Sequence, residues 1–308
     1  MEVFELWDVP MKSVCSKVNL AEISSGSLRE KFPRLFSDEL GCCAKAKVQL
    51  KLKKGATPVF QPKRPVAYAM LQQVESELES LKNEGIITRV DFSEWSARIV
   101  VVREANGTIR ICGDYSTGLN NMLMPHQYPL PLPEEIFASL SKCSLFSQID
   151  LSDAFLQVEV DEEYRELLTV NTYRGLHRYN RLPPGVKAAP GAFQQIMDTM
   201  LAGLVGGAAY MDDIVVGGED EATHEQNLTA VLGRLEEYGF TIRESKCSFN
   251  KKQIKYLGHL IDEKGLRPDA EKITAITKLP PPTDVTGVRS FLGVINFYAV
   301  AYLGVRRP

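Results

Sequence analysis

The chain has 308 residues, 44% of them hydrophobic, which is enough apolar content for one large core or two smaller ones and excludes a wholly disordered chain. A net charge of −3 does not announce a polyanionic partner, so any basic footprint for nucleic acid has to be local. Six scattered cysteines (Cys15, Cys42, Cys43, Cys112, Cys143 and Cys247) form no C-x-x-C pair, which excludes a zinc knuckle or a disulfide framework and leaves reduced thiols.

Residues 1–45 are weakly periodic, with a Ser-Ser-Gly-Ser stretch and a short apolar cluster of Phe32, Leu35 and Phe36, and read as an N-terminal extension or linker. Met1 to Pro10 carry no basic segment followed by an apolar run, and no window reaches the length of a membrane span, so a soluble intracellular protein is expected. From Lys45, Val48, Leu50 and Leu52 alternate with Gln49, Lys51 and Lys53, a half-exposed strand with a basic outer face that Lys54, Lys63 and Arg64 extend. That face reads either as solvated lysines or as a phosphate-contacting rim. Leu71, Val74, Leu78 and Leu81 then predict a helix closed by Gly85. Strands are predicted at Ile86–Val90 and Arg98–Arg103, and Asn106-Gly107 predicts a two-residue hairpin into Ile109–Cys112. Arg103 and Arg110 flank that hairpin, either solvated or available to clamp a triphosphate.

Four prolines between Pro125 and Pro133 mark a boundary, followed by a short helix over Glu134–Leu140. In Leu145–Leu151 the two-residue period sets Leu145, Ile149 and Leu151 on one face, and Phe146, Gln148 and Asp150 on the other. Asp150 thus leaves a strand beside the turn Ser152-Asp153-Ala154-Phe155. After the loop Leu182-Pro183-Pro184-Gly185, a helix buries Phe193, Ile196, Met197, Met200, Leu201 and Leu204. Tyr210-Met211-Asp212-Asp213 then reads as the tip of a hairpin, with Ala208 and Ala209 before it and the β-branched Ile214, Val215 and Val216 after it. A helix with Leu228, Val231, Leu232 and Leu235 on its buried face ends at Gly239. Ile254–Ile261 predicts a strand pair in which His259 is structural, since no second ligand stands at metal-binding spacing. Helices are predicted near Ala270–Thr277 and Val285–Tyr298.

An isolated Asp-Asp pair reads better as a solvated turn, so the surroundings must decide. Two neighbouring carboxylates against buried strands are instead compensated by a hard divalent cation, and no cationic partner stands near Asp150, Asp212 or Asp213 in sequence. Three such carboxylates suit two metal ions and in-line displacement at phosphorus, a chemistry shared by polymerases, phosphatases and nucleases.

Seven motifs in combination carry a resemblance. They are Ser93-Glu94-Trp95, Arg110-Ile111-Cys112-Gly113-Asp114-Tyr115, Tyr128-Pro129-Leu130-Pro131 and Gln148-Ile149-Asp150-Leu151-Ser152-Asp153-Ala154-Phe155, followed by Arg181-Leu182-Pro183-Pro184-Gly185, Tyr210-Met211-Asp212-Asp213 and Tyr256-Leu257-Gly258-His259. Over about residues 45–298 the chain resembles the reverse transcriptase of gypsy-type long-terminal-repeat retrotransposons. The resemblance implies an α+β right-hand polymerase with fingers over 46–128, a palm over 129–245 to which finger elements return near 160–190, a primer-grip hairpin over 246–266 and a partial thumb over 267–298. Residues 299–308 depart from the pattern and read as an atypical, truncated tail.

The resemblance further implies an RNA-directed DNA polymerase within a Pol polyprotein. Asp150, Asp212 and Asp213 would hold two Mg²⁺, or Mn²⁺ in their place, and Arg103 and Arg110 would meet the triphosphate. Asp153, Ala154, Phe155 and Gly185 would form the nucleotide pocket, Tyr256, Leu257, Gly258 and His259 the primer grip, and Lys246 would protonate pyrophosphate or remain solvated. Implied partners are an RNA template, a DNA primer or template and deoxynucleoside triphosphates, in a cytoplasmic virus-like particle or the nucleus, with no membrane. No ribonuclease H or integrase motif is seen in this chain. Arg98 and Ser116 depart from the residues usual in relatives. The alternative reading is a catalytically weak or inactive nucleic-acid-binding remnant; an RNA-templated RNA polymerase is disfavoured by the bulk of Phe155.

Overall fold

The computed structural model describes residues 25–104, 107–269, 274, 276–279 and 281–303. Two sheets organise it. The first has five strands in the order β2-β8-β7-β3-β4, built from Ile87–Val90 (β2), Ala97–Arg103 (β3), Ile109–Asp114 (β4), Thr169–Thr172 (β7) and Gly175–Tyr179 (β8). The second is antiparallel in the order β11-β5-β10-β9, from Leu145–Asp150 (β5), Gly207–Tyr210 (β9), Asp213–Gly218 (β10) and Ser248–Lys251 (β11).

The first sheet takes strands from both sides of β5, so the chain leaves it to form β5, returns for β7 and β8, and then completes the second sheet with β9, β10 and β11. The helix over Leu71–Asn83 (α2) buries Val74, Leu78 and Leu81, and Gly85 closes it at φ 69, a conformation open to glycine without strain. The β3–β4 ladder runs to Arg103↔Ile109, and the Glu104 N–H then bonds the Thr108 carbonyl. With Gly107 at φ 87, the connection is longer than the two-residue turn that Asn-Gly suggested. Asn106 itself lies outside the described residues.

In the second sheet both faces are covered. Ile149, Ile214 and Val216 join the main core beneath the helices Ala189–Leu201 (α5) and Glu221–Tyr238 (α6). Phe146 and Val215 face the other way, into a smaller cluster with Ile136, Ile254, Tyr256 and Ile261. The period of two in Leu145–Leu151 is therefore the alternation between two cores. The second cluster is roofed by a three-stranded sheet of Gln253–Tyr256 (β12), His259–Asp262 (β13) and Gly265–Pro268 (β14), the last of which the strand-pair expectation did not contain.

The stretch up to residue 45 is not a linker in its described part. Leu28, Phe32, Leu35 and Phe36 are all buried, an i, i+3, i+4 stripe started by the short helix Ser25–Lys31. The Ile242 N–H bonds the Leu35 carbonyl, and Cys42 and Ala44 bond the carbonyls at the end of α6. The basic strand expected from Lys45 pairs at Lys47–Val48 (β1), in parallel with Glu159–Val160 (β6), and again at Leu52, which bridges Leu123 in the antiparallel sense. Of the two C-terminal helices, Val285–Leu303 is present and runs beyond Tyr298, whereas most of Ala270–Thr277 lies outside the described residues.

Candidate active site

Asp150 ends β5 and Asp213 begins β10, and the register sets them directly opposite one another. Directly opposed residues in such a ladder hold their Cβ atoms about 4.5–5.5 Å apart, so backbone pairing alone brings the two carboxylates together. Asp212 is exposed in the turn beside them, next to Met211 at φ 56. Burial pushes the Asp150 carboxyl above the usual carboxylate range; Lys246 and Arg243 oppose the rise, and Asp212 and Asp153 add to it. Asp213 is pushed up by burial first and then by repulsion from Asp212 and Asp150, against a hydrogen bond with Gln148 and the field of Lys246.

The expected lack of cations is corrected in part, because the fold brings in what the sequence keeps distant. Lys246 Nζ lies 3.9 Å from Asp150 Oδ2, on a turn that follows Arg243. Exposed and at that distance, Lys246 offsets the carboxylates without neutralising them. Among the described residues, no three His, Cys, Asp or Glu side chains form a ready-made metal cage. The donor set nevertheless fits a hard cation: it is all oxygen and half-open, and both carboxyls stay raised, by burial first and then by their carboxylate neighbours.

Asp153 has φ 40 and bridges two arginines from different parts of the chain. Its Oδ2 accepts from Arg243 Nη2 at 2.8 Å, and its Oδ1 lies 3.4 Å from Arg110 Nη2, which also meets Glu104 at 3.1 Å. Arg110 is thus held over the turn that follows Asp150. Arg103 is not: it is exposed and paired with Ile109, and strand alternation turns it to the opposite face from Arg110. The two arginines do not form one clamp in this arrangement.

Ala154 is buried, and Phe155 is half-buried in the 3₁₀ turn Ala154–Gln157, with its ring at 5.1 Å and 71° from that of Phe193. Gly185 has φ 93 and packs on Gly113, where a Cβ would stand 3.1 Å from the Gly113 carbonyl oxygen. Asn120 fixes this loop from both sides, donating to the Gly185 carbonyl and accepting from the Lys187 N–H, each at 2.8 Å. Nothing in the sequence singled out Asn120.

Tyr256 and His259 are almost fully buried, at 1% and 2% exposure, so neither side chain presents itself to a ligand. The Tyr256 hydroxyl donates to the Asp213 carbonyl at 2.9 Å, and the His259 ring lies edge-on to Phe137 with Nδ1 3.0 Å from the Leu257 carbonyl. The half-exposed turn Leu257-Gly258, at φ 47 and 78, is what this hairpin offers outward. Tyr256 instead ties the roofing sheet to the strand that carries Asp213. Tyr256→Phe keeps the ring and removes the bond, and is expected to cost about 1 kcal/mol in urea unfolding.

Paired carboxylates on an antiparallel palm sheet, under a separate five-stranded sheet that supplies an arginine, define a right-hand polymerase. The sequence matches the family described as "Reverse transcriptase (RNA-dependent DNA polymerase)" over residues 102–261, more than half of the chain. The chain therefore belongs to the reverse transcriptase family, as the polymerase segment of a long-terminal-repeat retrotransposon Pol polyprotein. It is 43% identical over 272 residues to "Uncharacterized protein K02A2.6" of Caenorhabditis elegans, a match over 88% of this chain and 21% of that one. With the "Retrovirus-related Pol polyprotein from transposon gypsy" of Drosophila melanogaster it shares 30% identity over 262 residues, 82% of this chain and 25% of that one. The chain thus spans about a quarter or less of the curated relatives it matches. Among solved structures, the foamy viral protease-reverse transcriptase in complex with double-stranded DNA has the same fold, at TM-score 0.77 and 21% identity over 88% of this chain and 48% of that one. The foamy viral enzyme in complex with an RNA/DNA hybrid gives 0.75 and 20% over 89% and 37%.

Proposed function

We propose that this chain adds deoxynucleotides to a primer on an RNA or DNA template, using two divalent cations held by Asp150, Asp212 and Asp213. The observation that carries this reading is the direct pairing of Asp150 with Asp213, both pushed toward protonation by burial first and by neighbouring carboxylates second. Bound Mg²⁺ would activate the attacking hydroxyl and neutralise the leaving pyrophosphate. The protein's own share is placement. Arg110 exchanges its carboxylate partners Asp153 and Glu104 for the triphosphate of an incoming nucleotide, a swap of one anion for another at a guanidinium fork. The turn from Asp153 to Phe155 lies under the sugar, the Gly185 loop under the templating base, and Leu257-Gly258 against the primer end. Lys246, exposed beside Asp150, is placed to give a proton to pyrophosphate.

The solved relatives of this fold bind double-stranded DNA and RNA/DNA hybrid, which supports nucleic acid as the partner here. Since lysines and arginines meet phosphates, primer–template affinity is expected to fall about 10²-fold between ~50 and ~200 mM salt if about four phosphates are contacted. A binding titration at several salt concentrations reads this slope, and a flat response would remove the phosphate contacts. The deciding experiment for the function itself is extension of a DNA primer on an RNA template with Mg²⁺, comparing the chain with Asp212→Asn. Extension by the former alone supports the polymerase. A folded chain that binds the duplex but never extends it is the non-catalytic remnant.

A further inference from the structure

Met211 is an ordinary residue in a left-handed conformation at φ 56, immediately before Asp212 and Asp213. Such a conformation crowds Cβ against the backbone, so something must hold it. Gln194, fully buried in the middle of α5, does so with its entire amide. Its Oε1 accepts the Met211 N–H at 2.7 Å, and its Nε2 donates to the Ala209 carbonyl at 3.0 Å and to Asp198 Oδ1 at 2.7 Å. The amide therefore spans the hairpin, gripping one residue on either side of Tyr210.

The orientation of that amide is itself determined. A flip would turn Oε1 toward two acceptor oxygens and Nε2 toward an N–H, losing all three bonds. Asp198 enforces the choice, and its second oxygen accepts the Tyr128 hydroxyl at 2.7 Å. Tyr128 belongs to the proline-rich segment between the two sheets, so the chain of bonds runs from that segment through α5 to the turn.

We propose that Gln194 is a positioning residue of the polymerase reaction: through Met211 it sets the turn that aims Asp212 and Asp213, and Asp198 with Tyr128 orients its amide. This rests on the polymerase function proposed above. Gln194 touches neither nucleotide nor metal. It acts through the backbone of residues that do, so its loss falls on turnover and metal use rather than on duplex binding.

The test compares the full chain with Gln194→Met, which keeps the length of the side chain but none of its bonds. The expected result is a fall in kcat of about tenfold to 10²-fold, the effect of a small misplacement of reacting groups. KM for deoxynucleotide and affinity for primer–template should stay within about twofold, and the Mg²⁺ concentration for half-maximal rate should rise. Independently of activity, amide exchange at Met211 should speed up about tenfold or more once its acceptor is gone. Asp198→Asn retains an acceptor for Gln194 and a polar group for Tyr128, and is expected to behave nearly as the parent, whereas Asp198→Leu should reproduce part of the Gln194→Met defect. An unchanged kcat together with unchanged Met211 exchange overturns the proposal, as does a parallel collapse of melting temperature, duplex affinity and kcat in both Gln194→Met and Asp198→Leu. Were the parent chain itself unable to extend a primer, the polymerase reading would fall and Met211 exchange alone would decide whether Gln194 holds the turn.

Discussion

Asp150→Asn and Asp213→Asn are expected to reduce nucleotide addition by about 10³-fold or more, equivalent to about 4 kcal/mol or more in the barrier, because an amide cannot supply the anionic oxygen a hard cation needs. The same substitutions should leave the apo protein at least as stable as its parent. Both carboxyls have folded-state pKa values raised above the usual range, chiefly by burial. A raised carboxyl favours the folded state at a pH below its unfolded pKa, and that advantage is lost as pH rises through the folded pKa. At pH 7 both aspartates are therefore a burden on the apo fold, and the neutral isostere lifts it. The melting temperature of Asp213→Asn should exceed that of the parent at pH 7, and the difference should vanish below about pH 4, where free aspartate is itself protonated. Added Mg²⁺ should raise the melting temperature of the parent and not that of either variant, since only a ligand that binds the folded state shifts its stability. A variant with parental extension rates, or a parent indifferent to Mg²⁺, would remove the three aspartates from the metal assignment.

What the sequence could and could not say follows from how local each signal is. The β-branched run Ile214–Val216 after Asp213, the alternation through Leu145–Leu151 and the stripe along α5 are short-range patterns, and each folded as its period demanded, except that the helix ends at Leu201 and leaves Leu204 beyond it. The meeting of Asp150 with Asp213 is a matter of strand register between distant segments; metal chemistry and the family resemblance pointed to it, and no local pattern fixed it. Lys246 and Arg243 escaped notice as partners of the carboxylates for the same reason. Gln194 was hidden differently. It sits between Phe193 and Ile196 on a stripe that reads as plain core, and its one sequence signal is a polar side chain where an apolar one is due. Residues 28–36 offered about two helical turns of apolar pattern, too little to tell a docking helix from a linker, and their burial comes from the far end of α6. Arg103 is the converse case: its charge beside the hairpin is legible in the sequence, but the face it occupies, opposite that of Arg110, is set by the ladder register.

Phe155→Val is expected to lower the preference for deoxyribonucleotides over ribonucleotides by about 10 to 100-fold in the ratio of kcat/KM, equivalent to ~1.4 to 3 kcal/mol of differential transition-state binding. The ring stands in the turn that leaves the Asp150 strand, directly after Asp153, which holds Arg110, and Ala154, whose burial fixes the backbone beneath it. Phe155 is half-buried rather than sealed in the core: it packs on the main core with its ring centroid 5.1 Å from that of Phe193, and part of its surface stays exposed. A rigid ring braced from behind cannot retreat. A deoxyribose whose triphosphate is held by Arg110 and the aspartate-bound metals would rest against it, and the added 2′-hydroxyl of a ribose would collide. Valine removes the collision and keeps an apolar wall, so deoxynucleotide incorporation should persist. The lost edge contact with Phe193 is worth about 0.5–1.5 kcal/mol, which leaves the fold intact. The measurement is single-nucleotide extension with each sugar in turn, for the parent and for Phe155→Val. An unchanged deoxy-to-ribo ratio, with deoxynucleotide extension preserved, would show that the ring is packing alone and that sugar selection resides in another part of the pocket.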